Sequence, residues 1–467
     1  MSYSNHKILI ANRGEIAVRI IRAAQQLGIA TVAVCSEADK DSLPAKLADE
    51  MIIIGPARSD QSYLKSELIL KAAKDTGATA IHPGYGFLSE NADFAKAVVE
   101  AGLIFVGPSA DTIRQMGDKS CARTTAQAAG VPVVPGSDGE IDSLEEAITS
   151  AQSIGYPLLI KASAGGGGRG IRIAHNPEEL AKELVMAQSE AKAAFGSGSV
   201  YLERFIQQAR HIEVQILGDG VNAIHLYERE CSLQRRRQKI FEEAPSPALS
   251  DTVREELCLN AAKLARNLHY KGAGTLEFLY DDVTKEFFFI EMNTRIQVEH
   301  PISEAITGID LVQWMIKIAL GEPLSLQQES IRVNGSAIEM RINAENPAKG
   351  FFPSPGQLKN LVWPVGEGIR IDTHLFDNYI IPPYYDSLLA KIIVHGETRQ
   401  QAFERASSAL EKTKIEGIVT TLSLHKLLLK DPDVQAGHFH TETLEAWLSN
   451  NLEKIIDLEK PHADTTH

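Results

Sequence analysis

The segment at 274–300 constrains the fold more than any other part of this 467-residue chain. Two strand-like runs, 274–280 and 286–291, flank a short polar turn at 281–284, a pattern that predicts an antiparallel hairpin. Pairing about that turn sets Glu277 opposite Glu291. Directly opposed carboxylates repel and destabilise a sheet, so we expect a divalent cation between them.

The residues after this hairpin extend the polar pattern. Side chains alternate between two faces of a strand, so five polar residues are expected to share one face: Glu291, Asn293, Arg295, Gln297 and Glu299. Two carboxylates and an amide oxygen suit Mg²⁺ or Mn²⁺ held against substrate phosphates, which predicts a metal site at Glu277, Glu291 and Asn293. A solvated edge strand is the alternative, but the aromatic run at 287–289 disfavours it.

Composition limits the class of protein. The chain is 44% hydrophobic and 23% charged, which is typical of a globular protein with two or three domains. It carries 47 lysines and arginines against 61 acidic residues, a net charge of −14 that disfavours nucleic acid as a partner. The four cysteines are widely spaced, which favours a reducing, cytoplasmic location. We expect no targeting segment and no membrane span.

Strand-like and helical patterns divide the chain into three zones. In the first zone, helical patterns such as that of Ile16 and Ile20 alternate with strand-like runs, which predicts a parallel sheet covered by helices. The strand-like runs lie at 7–11, 30–35, 51–54, 80–82 and 103–106. A helix at 109–129 is expected before the middle zone. After Asn334, short strands rich in Pro and Gly precede an amphipathic helix at 400–412.

The glycine-rich run at 164–170 contains the spacing G-x-G-x-x-G, at Gly165, Gly167 and Gly170. A dinucleotide-binding fingerprint requires a helix directly after these glycines, because the helix N-terminus receives the pyrophosphate. Residues 171–174 instead alternate as a second strand. The run is therefore interpreted as a loop between antiparallel strands, and no G-x-x-x-x-G-K-[ST] loop is present.

A glycine loop of this kind can fold over a triphosphate and offer backbone N–H groups to it. Lys119 and Lys161 would add ammonium groups that bind phosphate. A flexible surface hairpin is the alternative for the run taken alone. The metal site predicted further along the chain favours the nucleotide-binding interpretation.

A glycine-rich hairpin, two lysines and a carboxylate-bearing strand pair are what an ATP-grasp fold requires. Five segments closely resemble signature segments of the biotin carboxylase family: NRGEIA (12–17), HPGYGFLSEN (82–91), KASAGGGGRG (161–170), EMNTRIQVEHP (291–301) and PPYYDS (382–387). The resemblance covers nearly the whole chain and implies an α/β architecture of three domains. These are an N-terminal parallel-sheet, Rossmann-like domain at 1–115, an ATP-grasp domain at 116–333 with a mobile lid at about 134–205, and a mixed α+β domain at 334–450.

The resemblance implies a ligase that uses ATP and bicarbonate to form carboxyphosphate, with Mg²⁺ or Mn²⁺ as cofactor. The carboxyl group then passes to biotin on a carrier protein. Carrier and carboxyltransferase are expected as separate chains, because no biotinylation site or further domain is evident. A homodimer is expected, with Arg19 and Asp386 at the subunit contact. The final acceptor stays open among acetyl-CoA, as in fatty acid biosynthesis, propionyl-CoA, pyruvate, 2-oxoglutarate and urea.

The resemblance also implies residue roles. It places ATP contacts at Lys119, Lys161, Gly167, Gly168, Glu203, Arg204, Phe205, Ile206, His211, Gln234, Arg237, Glu277 and Glu291. It places bicarbonate contacts at Lys239, Arg295, Gln297 and Val298, with Glu299 as the base. Arg341 would stabilise negative charge on the biotin ureido oxygen. Closure of the glycine lid would exclude water from the labile intermediate.

Three positions depart from the family pattern. Arg237 replaces a usual histidine that reaches the nucleotide, Arg204 replaces a usual lysine, and Ile171 replaces a common methionine. Arginine is longer than histidine and always charged, so we expect altered nucleotide affinity or pH response from Arg237. Arg204 should matter little if only its backbone meets the adenine.

Other interpretations accompany these assignments. His82 is a turn residue of the N-terminal domain or a site group, and Tyr384 and Tyr385 are core or interface aromatics. The basic residues at 235–239 resemble a nucleic-acid patch, but we expect the glutamates at 242–243 to neutralise them. Two other functions stay open: a different ATP-grasp ligase that activates a carboxylate for an amine, and a catalytically weakened nucleotide-binding regulatory subunit.

Overall fold

A computed structural model describes residues 3–162, 171–195 and 198–459. The chain divides into two compact units, each of which is described by itself. The larger unit holds Met1–Val131, Arg210–Phe278 and Glu291–His467, and the smaller holds Pro132–Ala209 and Leu279–Ile290. The glycine-rich run, with Gly167 and Gly168, lies outside the described residues. No helix in the described ranges is long and apolar enough to cross a membrane.

The larger unit begins with a five-stranded parallel sheet in the order β3-β2-β1-β4-β5. Its strands are β1 (Lys7–Ile10), β2 (Ala30–Cys35), β3 (Glu50–Ile53), β4 (Ala80–His82) and β5 (Ile104–Phe105). The helices here are α1 (Gly14–Gln26), α2 (Leu43–Leu47), α3 (Ser66–Thr76), α4 (Ala92–Glu100), α5 (Ala110–Gly117) and α6 (Lys119–Ala128). Ile16 and Ile20 are buried on α1, and the alternating pattern correctly predicted a parallel α/β sheet.

The prediction of one helix at 109–129 is wrong. Asp118 has an extended backbone, with φ −85° and ψ 116°, and separates α5 from α6. The Asp118 carboxylate accepts a hydrogen bond from the Cys121 N–H at 2.7 Å and so caps α6. This break places Lys119 at the first position of α6.

An eight-stranded sheet has the strand order β13-β12-β9-β10-β11-β14-β21-β19. These strands are β9 (Ala209–Asp219), β10 (Ala223–Arg235), β11 (Gln238–Ala244), β12 (Lys271–Asp281), β13 (Phe287–Asn293), β14 (Ser336–Asn343), β19 (Ile369–Thr373) and β21 (Leu388–Gly396). Helices α9 (Asp251–Asn267), α10 (His300–Thr307) and α11 (Leu311–Ala319) connect them. Helix α10 packs its Ile302 and Ile306 against Ala244 and Ala337 of the sheet.

Short strands follow β14, as the Pro- and Gly-rich sequence predicted. They are β15 (Glu345–Asn346), β16 (Phe352–Pro353), β17 (Gly356–Gln357), β18 (Asn360–Val362), β20 (Ile380–Ile381) and β22 (Lys414–Glu416). The expected amphipathic helix is α12 (Arg399–Lys412), and α13 (Leu422–Leu428), α14 (Pro432–Ala436) and α15 (Thr443–Glu459) follow it. Phe403, Leu410 and Leu428 lie in one core with the inner residues of β14 and β21.

The smaller unit contains α7 (Leu144–Ile154), β6 (Leu158–Ala162), β7 (Ile171–Ala174), α8 (Pro177–Phe195) and β8 (Val200–Arg204). Its three strands are antiparallel, in the order β7-β6-β8. Lys161 pairs with Ile171, so the glycine-rich run connects two neighbouring antiparallel strands. This topology agrees with the rejection of the dinucleotide fingerprint, because β7 follows the glycines where that fingerprint requires a helix.

Candidate active site

The polar residues predicted on one strand face come together in a different way. Strand β13 ends at Asn293, and residues 294–299 form bends and turns before α10. The expectation of one extended strand through Glu299 is therefore wrong. The chain instead folds back toward β12, so that the side-chain amides of Asn293 and Gln297 each donate to Glu277 Oε1 at 2.8 Å.

Lys239, on β11, is the centre of the site. Its ammonium donates to Glu277 Oε1 at 3.1 Å, to Glu299 Oε1 at 2.8 Å, and to Glu213. Burial opposes the charge, but the three carboxylates outweigh burial and hold the pKa of Lys239 well above its ordinary value. A compact cation thus balances three acids in the interior of the sheet.

His211, on β9, adds a second cation. Its Nε2 lies 3.0 Å from Glu213 Oε1 and 3.2 Å from Glu277 Oε2. Burial lowers the pKa of His211, but Glu277 and Glu213 outweigh burial and raise it to about 9. The pKa of Glu277 is lowered in return, because Lys239 and His211 overcome the opposing effect of burial. Sequence reasoning named His211 only through the family resemblance.

Arg341, on β14, holds Glu299 from the other side. Its Nη2 donates to Glu299 Oε2 at 2.8 Å, and its Nε donates to Glu242 Oε1 at 2.5 Å. Burial favours the neutral form of Glu299, yet Lys239 and Arg341 keep its pKa below the ordinary carboxyl value. Glu299 is almost fully buried, and its two cationic partners hold it as an ionised carboxylate. An ionised carboxylate can accept a proton.

Arg295 lies beside this group with its guanidinium already engaged. Its Nε donates to Glu90 Oε2 at 2.7 Å, and its Nη2 donates to Asn293 Oδ1 at 2.8 Å. The Arg295–Glu90 pair joins the segment after β13 to the loop before α4. Glu90 lies inside a signature segment, but the sequence offered no sign of its partner.

Glu291, near the end of β13, is a partly buried acid on which the charge of Glu277 acts. Among the described residues, no donor lies within hydrogen-bond distance of its carboxylate, although the residue is partly buried. Burial and the charge of Glu277 raise the pKa of Glu291, and Lys119 partly offsets this. Two adjacent acids of which only one has protein donors fit a divalent cation between them, with Asn293 beside it. In a second group of possible ligands, Glu213 with Glu277 and His211, both carboxylates are paired with the Lys239 ammonium.

The sequence did not single out Arg229, which is the most connected side chain at the site. Arg229, on β10, is completely buried, and its guanidinium donates to side chains of five residues: Glu213, Gln215, Thr275, Gln297 and Ser303. Its Nη2 lies 2.6 Å from Gln297 Oε1, so Arg229 fixes the side chain that reaches Glu277. Local sequence did not distinguish Arg229, because the other residues of β10 near it are also polar and mostly buried.

The predicted adenine and phosphate residues of the smaller unit lie near one another. Lys161 on β6 pairs with Glu203 on β8. The Arg204 guanidinium turns toward Glu286, with an Nη1–Oε2 distance of 3.1 Å, and lies over the Phe288 ring. Its backbone N–H donates to the Pro135 carbonyl at 2.8 Å. Ile206 is buried against Phe288, and Phe205 next to it is partly buried.

The basic turn between β10 and β11 differs from expectation. Arg236 and Arg237 both have positive φ, 47° and 67°, and form an exposed two-residue hairpin turn. The expected neutralisation by the following glutamates is wrong, because Glu242 pairs with Arg341 and Glu243 pairs with Arg399. Gln234, a predicted ATP contact, pairs with Lys239 across the hairpin, and its side chain donates to the Cys231 carbonyl at 2.8 Å.

Partners within the chain are present for three other residues discussed above: His82, Tyr385 and Arg19. His82 is completely buried, and its Nδ1 accepts a hydrogen bond from the Gly84 N–H at 3.0 Å, as expected of a turn residue. The Tyr385 hydroxyl lies 2.5 Å from the Ala57 carbonyl, which places it with the core aromatics, while Tyr384 is exposed. Arg19 pairs with Glu304 and Asp310 of its own chain.

Two antiparallel strands on either side of the glycine-rich run, and a buried cluster of acids and cations on a large sheet, define the class of protein: this is an ATP-dependent ligase of the ATP-grasp type. Three family models match the chain. They are "Biotin carboxylase, N-terminal domain" at 4–113, "Carbamoyl-phosphate synthase L chain, ATP binding domain" at 118–327, and "Biotin carboxylase C-terminal domain" at 339–446.

Biotin carboxylase 1 of Bacillus subtilis is 54% identical over 442 residues, which is 94% of this chain and 98% of that relative. The chain belongs to the biotin carboxylase family. Its reaction consumes ATP and bicarbonate and uses Mg²⁺ and biotin.

Two solved structures extend the similarity to the fold. The biotin carboxylase subunit of a pyruvate carboxylase is 50% identical, with a TM-score of 0.89 over 96% of this chain and 99% of that chain. The second is the biotin carboxylase domain dimer of Hydrogenobacter thermophilus 2-oxoglutarate carboxylase, in complex with MgADP, ADP and bicarbonate. It is 49% identical, with a TM-score of 0.84 over 96% of this chain and 98% of that chain.

Proposed function

We propose that Glu299, held by Lys239 and Arg341, is the base that activates bicarbonate for attack on ATP. One observation carries this proposal: a buried carboxylate is kept ionised by two cations on adjacent strands, 2.8 Å away on either side. Such a carboxylate can accept a proton without first losing one. Carboxylation of biotin through carboxyphosphate is the reaction of the family, and the assignment of its steps to residues is our proposal.

The first step forms carboxyphosphate. A bicarbonate oxygen attacks the γ-phosphorus of ATP, the bond from that phosphorus to the β-phosphate bridging oxygen breaks, and ADP leaves. Glu299 takes the bicarbonate proton as the new P–O bond forms. We propose that Lys239, Arg295, Gln297 and the Val298 backbone hold the anion. Arg295 offers a planar donor fork that matches a carboxylate-like anion, once it exchanges a present contact for the substrate.

The second step transfers the carboxyl group. Carboxyphosphate breaks into CO₂ and phosphate, the phosphate takes the proton from biotin N1′, and N1′ attacks the carbon of CO₂. Negative charge develops on the ureido oxygen of biotin during proton removal. We assign Arg341 to stabilise this charge, because its guanidinium is fixed by Glu242 and lies beside Glu299.

The family similarity guides the proposed nucleotide contacts. We propose that Glu277, Glu291 and Asn293 hold Mg²⁺, which neutralises phosphate charge when bound. Lys119 and Lys161 with His211 are proposed phosphate contacts, and the adenine is assigned to the residues at 203–206. Gln234, Arg237 and the glycines of the lid complete the proposed nucleotide site, and Gly167 and Gly168 among them lie outside the described residues.

We propose the domain boundaries 1–115, 116–333 and 334–450, with the lid at about 134–205. The extents of the three family models support them. A homodimer is proposed because the similar 2-oxoglutarate carboxylase domain is a dimer. Carrier and carboxyltransferase are proposed as separate chains, and the similarity to Biotin carboxylase 1 of Bacillus subtilis over 98% of that relative supports this.

The acceptor and the location are further proposals. Acetyl-CoA carboxylase, in fatty acid biosynthesis, is one proposed assembly, and pyruvate and 2-oxoglutarate carboxylases, which appear among the similar structures, are the others. Affinity purification of the chain from its source, followed by identification of the transferase, decides between them. A cytoplasmic location is proposed, and the four cysteines, all free thiols, are consistent with it.

Carboxylation of free biotin tests the proposed steps. The chain is incubated with MgATP, labelled bicarbonate and biotin, and both ADP and carboxybiotin are measured. We expect ADP formation that requires bicarbonate and labelled product that requires biotin. ADP formation only with an amine acceptor would identify another ligase of the same fold, and tight ATP binding without turnover would identify a regulatory subunit.

A further inference from the structure

A lysine outside the assigned site lies directly behind the proposed base. Lys391 is in the middle of β21 and is completely buried. Its Nζ donates to the Val298 carbonyl oxygen at 2.8 Å, lies 3.2 Å from Glu15 Oε1, and lies 3.9 Å from Asp372 Oδ2. Burying an ammonium costs free energy unless it is paired and hydrogen-bonded, so these contacts compensate the burial of Lys391.

Core ion pairing explains only part of this arrangement. Glu15 on α1 compensates the charge, and Asp372 is already paired with Arg370 through two contacts at 2.8 and 2.7 Å. The shortest contact of Lys391 is to neither acid. It is to the peptide group between Val298 and Glu299, the residue that we propose as base.

The register of the sheet places this contact beside the second cation of the site. Lys391 on β21 is directly opposite Arg341 on β14. Arg341 binds the carboxylate of Glu299, and Lys391 binds the peptide group from which Glu299 projects. Neighbouring cations on one face of the sheet therefore fix both ends of the same residue.

We propose that Lys391 is a positioning residue for the bicarbonate step. It orients the Val298–Glu299 peptide and thereby sets both the path of the Glu299 side chain and the Val298 backbone at the bicarbonate site. This inference rests on the proposed role of Glu299. Misplacement of a reacting group by about 1 Å can lower a rate about 100-fold, so the hydrogen bond has a measurable consequence.

Three variants separate positioning from charge balance: Lys391→Met, Glu15→Gln, and the double variant with both changes. Lys391→Met removes the donor to Val298 and leaves Glu15 as a buried acid without its cation, with the Tyr85 hydroxyl as its remaining donor. The double variant removes that acid as well, while Asp372 keeps Arg370. Thermal unfolding, binding of MgADP by calorimetry, and kcat/KM for bicarbonate are measured for each.

We expect kcat/KM for bicarbonate to fall about 10- to 100-fold in Lys391→Met and to stay low in the double variant, even though its thermal midpoint recovers. MgADP affinity should change less than about twofold in the folded variants, and Glu15→Gln alone should keep its bicarbonate kinetics, because the Val298 contact remains. Recovery of kcat/KM together with the thermal midpoint in the double variant would overturn the proposal and leave Lys391 as a core ion pair.

Glu299→Gln is measured beside these variants. Full bicarbonate-dependent turnover of Glu299→Gln would contradict the proposed base. An inactive Glu299→Gln together with a fully active double variant would contradict only the positioning role of Lys391.

Discussion

Lys239 Nζ lies 2.8 Å from Glu299 Oε1. The same ammonium also contacts Glu277, so one cation connects the proposed base to a proposed metal ligand. A change of charge at one acid is therefore felt at the other through a shared partner. This coupling fits a reaction in which phosphate charge and the bicarbonate proton are handled within one site.

Replacement of Lys239 should be more damaging to bicarbonate use than to folding. In Lys239→Met, three buried acids lose their common cation, the pKa of Glu299 rises, and the base is protonated for a larger fraction of the time. We expect kcat/KM for bicarbonate to fall at least about 100-fold in bicarbonate-dependent ATP cleavage. Lys71→Met, at an exposed helix position, is the matched control and should keep its activity. Comparable losses in both variants would contradict this role.

Replacement of Glu291 should weaken the binding of Mg²⁺. Glu291→Gln keeps the size of the side chain but removes the charge that faces Glu277. The Mg²⁺ concentration that half-saturates ATP cleavage should rise at least about 10-fold, a shift of the size seen when metal sites are perturbed. Glu256→Gln, on the exposed face of α9, serves as control. An unchanged Mg²⁺ dependence would remove Glu291 from the metal site.

The buried His82 should make folding sensitive to acid. Burial, with a smaller effect of Arg19, lowers its pKa to about 3, whereas an unfolded histidine titrates near about 6.5. The unfolded chain therefore binds the extra proton as the pH falls below about 6.5, and the folded chain loses up to about 1.4 kcal/mol per pH unit. His82→Gln cannot titrate. We expect the stability of the wild-type protein relative to this variant to shrink from pH 7 to pH 5 in urea unfolding. A difference independent of pH would show that His82 is protonated equally in both states.

Replacement of Arg229 should strongly reduce stability. Arg229→Met leaves the charge of Glu213 with one cation fewer, together with several unpaired polar groups, which costs about 3–5 kcal/mol for a buried ionic group. Arg229→Lys should recover only part of this, because lysine keeps the charge but not the planar fork. The exposed Arg114→Met is expected to change the unfolding free energy by less than about 0.5 kcal/mol. Thermal unfolding measures the stability of all three variants. A small loss of stability in Arg229→Met would contradict the importance of its hydrogen bonds.

Much of the fold followed from local patterns. Alternating apolar strands and amphipathic helices predicted the parallel sheet, and the strand after the glycines predicted the antiparallel pair β6–β7. The break at Asp118 and the end of β13 at Asn293 were missed, because a cap and a tertiary turn decide them rather than periodicity. Patterns of residue type carry no information about which distant groups become neighbours.

At the site too, the sequence did not indicate which distant side chains become neighbours. Glu277 was expected opposite Glu291, with Asn293 and Gln297 on the same strand face as Glu291. The structure joins Glu277 to Asn293 and Gln297, although through a turn and not along one strand. Glu213 and Arg229 were not identified, because each is one of several polar residues within a long, mostly buried strand. Their pairing depends on the register of neighbouring strands, which local sequence does not specify.

Glu299→Gln, compared with wild type and with the exposed control Glu256→Gln, tests the central claim most directly. Bicarbonate-dependent ADP formation and MgADP binding are measured on the same preparations. The proposed base predicts that Glu299→Gln loses at least about 100-fold in turnover while its MgADP affinity stays within about twofold of wild type. Retained turnover, or an equal loss of turnover and nucleotide binding, would contradict the role of Glu299 as the base.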